Sequence, residues 1–241
     1  MILNILKAFF TLLLLTLSYF AFTSNLEYTY LTRCVITLLL TVAFVSLQRP
    51  NSRWLAYTLG CFTVGLLLYT IYLLREPPKK YDIIVIGAII YFIGYVMILL
   101  ENIRRFKKSF LKGNELTVYG IFFMLLFVAG GILFYVGDKE LNSIQNIIVI
   151  AYLFMIILIS FFAFANFIAL TSQKTLWMFI AVLILLLSEF AQAFIYVVEN
   201  QEVSEMVIVA TLEHIFPVIG VFILYKYYLT PTKYQLHDEI L

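Results

Sequence analysis

The chain has 241 residues, of which 63% are hydrophobic and 12% charged, with a mean hydropathy of +1.01 and a formal charge of +2. Soluble domains run at about 45–50% apolar and about 25% charged, so the composition argues against a water-soluble globular fold and for one built to sit in lipid. The cations are dispersed between apolar segments, which speaks against a nucleic-acid surface. Cys34 and Cys61 are the two thiols. Both fall in apolar segments with no His or Cys beside them, which excludes a disulfide framework and a metal-ligand spacing.

Eight apolar segments follow in chain order: Leu3–Thr23, Tyr30–Leu47, Trp54–Leu74, Asp82–Leu100, Leu116–Val136, Ile144–Leu170, Leu176–Val198 and Met206–Tyr228. Each is near the 20 or so residues that cross a bilayer core as a helix. Polar punctuation separates them, at Gln48–Asn51, Arg75–Lys80, Gly137–Lys139 and Thr171–Lys174. The second is the shortest and opens near Arg33. The first, with Lys7 ahead of an apolar run, resembles a signal peptide, but an even number of spans agrees better with the charge bias, so it is expected to be retained. The expected fold is all-α: one integral membrane domain over residues 1–241, a polytopic bundle of about eight transmembrane helices.

The bias is clear. With the N-terminus, the even-numbered turns and the C-terminal tail taken as one side, that side carries about 11 of the 16 Lys and Arg residues. Arg104, Arg105, Lys107, Lys108 and Lys112 supply much of it. The positive-inside rule then places both termini in the cytoplasm, in a bacterial cell most simply at the inner membrane. Trp54 and Trp177 open the third and seventh spans on that same side, as interfacial anchors do.

Two carboxyl groups interrupt the last two spans, Glu189 and Glu213, the latter followed by His214. Ionisable groups at membrane depth cost about 2.5–3.5 kcal/mol on insertion scales and usually line a cavity inside the protein. Counted from the Glu199–Glu205 turn, Glu189 lies about 10 residues along its helix and Glu213 about 8, so at about 1.5 Å per residue they share a depth. Gln192 and Tyr196 fall on the Glu189 stripe, and Pro217 on the Glu213 stripe. Pro217 lacks an N–H and leaves the carbonyl of Glu213 without its helical donor. Two carboxyls sharing an apolar site suit acid–base chemistry, one giving a proton while the other activates water, with His214 able to replace either. The same groups suit proton-coupled transport. Ser188 and Gln192 also read simply as polar groups that tie helices together. No G-x-S-x-G or H-E-x-x-H motif is present.

The run Leu185-Leu186-Leu187-Ser188-Glu189-Phe190-Ala191-Gln192-Ala193 resembles a helix of the YhhN-type lysoplasmalogenases, which have about eight spans, with Glu189 where that family has Asp. Gly87-Ala88-Ile89-Ile90-Tyr91-Phe92-Ile93-Gly94-Tyr95 resembles a Gly-rich helix of the same family, which often carries Phe and His at the positions of Tyr91 and Tyr95. Leu212-Glu213-His214 falls where the family has Tyr and Gln. A Gly-Asp pair usual in an earlier helix is missing near Gly65-Leu66, so the two-acid site that the resemblance implies is incomplete unless Glu213 supplies the second acid. The resemblance implies hydrolysis of the vinyl ether of a lysoplasmalogen. Glu189, Glu213 and His214 would be catalytic; Ser188, Gln192, Tyr196, Tyr91 and Tyr95 would bind substrate. The expected partners are a membrane lipid or lysolipid and the bilayer, with no cofactor, no metal and no nucleic acid. The alternative is a non-catalytic membrane protein, either a lipid-binding relative or a proton-coupled carrier.

Overall fold

A computed structural model describes residues 2–23, 25–47, 53–73, 80–106, 115–137, 143–197 and 203–230. Among these the chain is helical throughout: α1 (Ile2–Phe22), α2 (Leu26–Leu47), α3 (Arg53–Leu73), α4 (Lys80–Arg105), α5 (Glu115–Gly137), α6 (Ser143–Leu170), α7 (Gln173–Val197) and α8 (Val203–Leu229). All eight expected segments fall on these helices. The largest difference at a start is in α2, which begins a full turn before Tyr30, so Arg33 lies inside the helix and not at its threshold.

The helices close into a ring in the order α1, α2, α3, α4, α6, α7, α8 and back to α1, while α5 packs outside on α6 and α7. Inside the ring, Leu17, Ile36, Phe44, Leu59, Phe62, Ile159, Ala181 and Leu224 are fully buried. The outer surface is apolar as well. Val35, Leu38, Leu39 and Val42 of α2 and Ile121, Met124, Leu125, Phe127 and Val128 of α5 are all exposed. Contiguous exposed apolar faces of this kind mark surfaces that meet something other than water. Among the described residues one stretch, Glu27–Ser46, is long and apolar enough to cross a membrane on length and composition. Phe10–Phe22, Ala56–Ile71, Leu116–Val128 and Phe154–Leu170 are apolar but shorter.

The α3–α4 pair is held at close range by glycine. A Cβ on Gly65 would stand 2.9 Å from Tyr91 Cδ2 and 3.1 Å from the Gly87 carbonyl oxygen, so the two backbones approach where only hydrogen fits. Gly94 is tighter still, its virtual Cβ lying 2.6 Å from Phe62 Cε1. Phe62 cannot retreat, being fully buried and stacked on Tyr91 at 4.5 Å between ring centroids. Gly94→Ala is therefore expected to destabilise the protein by about 1–3 kcal/mol, the usual cost of overpacking. Gly60→Ala, with nothing within 4 Å of its virtual Cβ, should be neutral or stabilising. Thermal melts of the two variants in the same detergent check the contrast.

Candidate functional site

The α7–α8 hairpin sets the depth of the two carboxyls. Gly220 of α8 takes the side chain of Leu185 against its backbone, a virtual Cβ there lying 2.9 Å from Leu185 Cδ2. Since neighbouring helices joined by a short turn run antiparallel, four residues on from Leu185 is level with about four residues back from Gly220. Glu189 and Glu213 thus sit within about one turn of each other along the pair, roughly 4–5 Å. They are also within electrostatic range of one another, as the sequence reading expects. Pro217 lies one turn beyond Glu213 inside α8 and removes the N–H that its carbonyl would otherwise accept.

Each carboxyl has a tyrosine donor. Tyr95 of α4 donates its hydroxyl to Glu189 Oε1 at 2.7 Å, and Tyr30 of α2 donates to Glu213 Oε1 at 3.1 Å. Between them lies a residue the sequence reading passed over. Arg33 is 9% exposed, donates from Nη2 to the Tyr91 hydroxyl at 3.3 Å, and acts electrostatically on both Glu189 and Glu213. Tyr30 and Arg33 share a stripe of α2 at i, i+3, and Tyr91 and Tyr95 share one of α4 at i, i+4, so two helices present their polar groups to one interior.

His214 is almost fully buried, and neither ring nitrogen finds a protein partner among the described residues. Its ring meets Tyr30 edge-on, with centroids 4.7 Å apart, and Tyr30 in turn tilts against Tyr69. Tyr152 of α6 closes the far side, edge-on to Tyr95. Ser188 is buried on α7 beside Glu189 but about 100° round the helix. Gln192 and Tyr196 lie on α7, and their side chains are outside the described residues. A small, mainly apolar cavity lined by Tyr95, Ile98, Ile156, Ile159, Val182, Leu185 and Leu186 adjoins the cluster through Tyr95.

The constellation brings together Glu189, Glu213, His214, Tyr91 and Tyr95 from the sequence reading and adds Arg33, Tyr30, Tyr69 and Tyr152. Arg33 carries the same signal that singled out the carboxyls, an ionisable side chain within an apolar span. With the second span drawn from Tyr30, Arg33 stands in its first turn; the helix itself begins a turn earlier, at Leu26.

Chemically, one guanidinium lies within electrostatic range of two carboxyls and a histidine. It can balance one negative charge, which leaves the pair suited to holding a single proton that one carboxyl gives up and the other receives. The tyrosine donors fix the orientation of each acid; Glu213 and His214 are buried, while Glu189 is half-buried. Among the described residues no group of three or more His, Cys, Asp or Glu side chains is placed to hold a metal ion. Comparison of the chain with protein-family models, with curated proteins and with solved structures found no match.

Proposed function

We propose that the protein is an eight-span integral membrane protein with both termini in the cytoplasm, and that its buried carboxyl cluster hydrolyses the vinyl ether of a lysoplasmalogen-type lipid. The observation that carries the reading is that Tyr95 and Tyr30 donate to Glu189 and Glu213 at 2.7 and 3.1 Å from the same two helices on which Arg33 and Tyr91 hydrogen-bond each other. Vinyl ethers hydrolyse by protonation at the β-carbon, which leaves an oxocarbenium ion that water attacks. The hemiacetal so formed collapses to a fatty aldehyde and the free glycerol hydroxyl. In this scheme one carboxyl protonates the carbon and its partner takes a proton from the incoming water. Arg33 keeps the partner ionised, and Tyr95 and Tyr30 hold the two acids in place. Expression followed by purification in detergent and incubation with a lysoplasmalogen should release aldehyde.

The non-catalytic reading draws on one feature. Leu66, at the place of the family's earlier acid, is buried against Tyr30 and Cys34, so α3 lends no carboxyl to the cluster. A carrier or lipid-binding relative would use the same proton-holding pair without turnover. Absence of aldehyde across several headgroups would favour it.

The topology is tested separately. Reporter fusions after Leu241 should give a cytoplasmic signal and insertions at Gln201 an external one. The reverse at both sites would overturn the orientation.

A further inference from the structure

Away from the carboxyl cluster, the end of the bundle where α4 and α8 finish and α7 begins gathers cations around one buried acid. Glu101 is 5% exposed. Its Oε1 accepts from Arg105 Nε at 3.1 Å, from Arg105 Nη2 at 2.9 Å and from the Tyr227 hydroxyl at 2.9 Å. The Arg105 guanidinium also lies over the Tyr227 ring, 5.1 Å from its centroid, and Lys174 Nζ of α7 lies 5.2 Å from the same centroid. Lys226 reaches back over the Trp177 ring at 4.9 Å, and Arg104 is exposed beside them.

Charges do not balance here. Glu101 is matched by Arg105, while among the described residues no carboxylate lies within ion-pair distance of Lys174. Desolvation first, and the charge of Arg105 second, hold the Lys174 ammonium below the usual lysine range, with Glu101 working the other way. Its contact is an aromatic face, worth little against a lost counterion. Ser172 and Thr175 cap the start of α7 by exchanging backbone and side-chain hydrogen bonds, so the helix adds the positive end of its dipole at the same place. Arg105 binds Glu101 through Nε and Nη2, which leaves Nη1 outside that pair. Trp177 supplies an amphipathic ring of the kind that settles at headgroup level.

We propose that Lys174 and Arg105, with Tyr227 as the floor, form a site for the phosphate of an anionic phospholipid headgroup. The site rests on the eight-span reading for its position at a membrane surface. It differs from diffuse attraction to a basic loop because the two cations are fixed against one ring and the site has a defined depth.

The test is native mass spectrometry of the full-length protein from detergent micelles doped with equal amounts of phosphatidylglycerol and phosphatidylcholine of the same acyl chains. Phosphatidylglycerol should be retained in preference. Lys174→Gln should cut its retention by roughly tenfold, the order of one charge-assisted hydrogen bond, and leave phosphatidylcholine unchanged. Arg104→Gln, outside the site, should change little. Arg105→Gln also strips Glu101 of its partner and threatens the fold, so Lys174→Gln is the deciding variant. Equal retention of the two lipids, an equal loss in Arg104→Gln, or displacement by inorganic phosphate alone would each overturn the site. Selectivity is read on purified protein, so a failure of the reporter-fusion topology is a separate outcome.

Discussion

Glu189→Gln should lower lysoplasmalogen turnover by roughly 10²–10⁴-fold, the usual contribution of a general acid or base, while melting temperature and expression barely change. Glutamine keeps the shape of the side chain and an oxygen for the Tyr95 hydroxyl, which donates to Glu189 Oε1 at 2.7 Å. What it removes is the capacity to give or take a proton. A polar strut between α4 and α7 would survive the exchange, because an amide bridges helices as well as a carboxyl does. Turnover at the parent rate in this variant would sink the catalytic role of Glu189. A parallel Glu213→Gln variant separates the two acids. If one protonates carbon and the other activates water, both variants lose activity, and the double variant is little worse than either alone, as for groups that act as a unit.

The second large effect concerns stability. Arg33→Leu leaves two carboxyls in one buried cluster without their cation, and removing one partner of a buried charge set typically costs about 3–5 kcal/mol. The loss should appear as a large fall in melting temperature or as failure to recover folded protein. Arg33→Leu combined with Glu213→Gln should regain much of it, since the second change removes a charge that the first left unmatched. Such coupling is what a double-mutant cycle reads. If the two changes simply add, Arg33 is not the counter-charge of Glu213, and the reading of the cluster as one electrostatic unit fails with it.

How much of this was legible in the chain depends on the kind of interaction. Segment positions were readable because apolar runs of near-constant length alternate with Pro, Gly and charged punctuation, and every run falls on a helix. Glu189 and Glu213 were readable because charge in an apolar run is conspicuous, and their shared depth followed from counting along two helices joined by a short turn. Of the tyrosine donors, Tyr95 entered through the resemblance, as a substrate-binding residue, while Tyr30 and the pairing of each with its acid did not. Tyr95 meets Glu189 across 94 residues and Tyr30 meets Glu213 across 183, and helical periodicity says nothing about which faces of distant helices meet. With 17 tyrosines in the chain, composition could not choose among them. Arg33 was missed for a simpler reason: with the span drawn from Tyr30 it stands in the first turn, whereas the helix begins a turn earlier and carries it further inside. The Gly65–Gly87 approach was likewise invisible until α3 and α4 were seen to pack face to face.

The long separation between α2 and α8 has a consequence during synthesis. On the eight-span reading proposed above, Arg33 would enter the membrane with α2, whereas Glu189 and Glu213 would arrive only with α7 and α8. The Tyr30–Glu213 bond spans 183 residues, and at about 5–20 residues per second a ribosome needs roughly 10–40 seconds to cover that distance. For that interval the guanidinium has no carboxyl to face. Arg33 lies about two turns from the start of α2, close enough for a long side chain to reach back toward the headgroups while it waits. The helix is then free to settle at its final depth only when the last hairpin is made, so a nascent chain stopped before α8 would hold α2 displaced toward the surface, and closing the ring would be the step that draws the arginine inward.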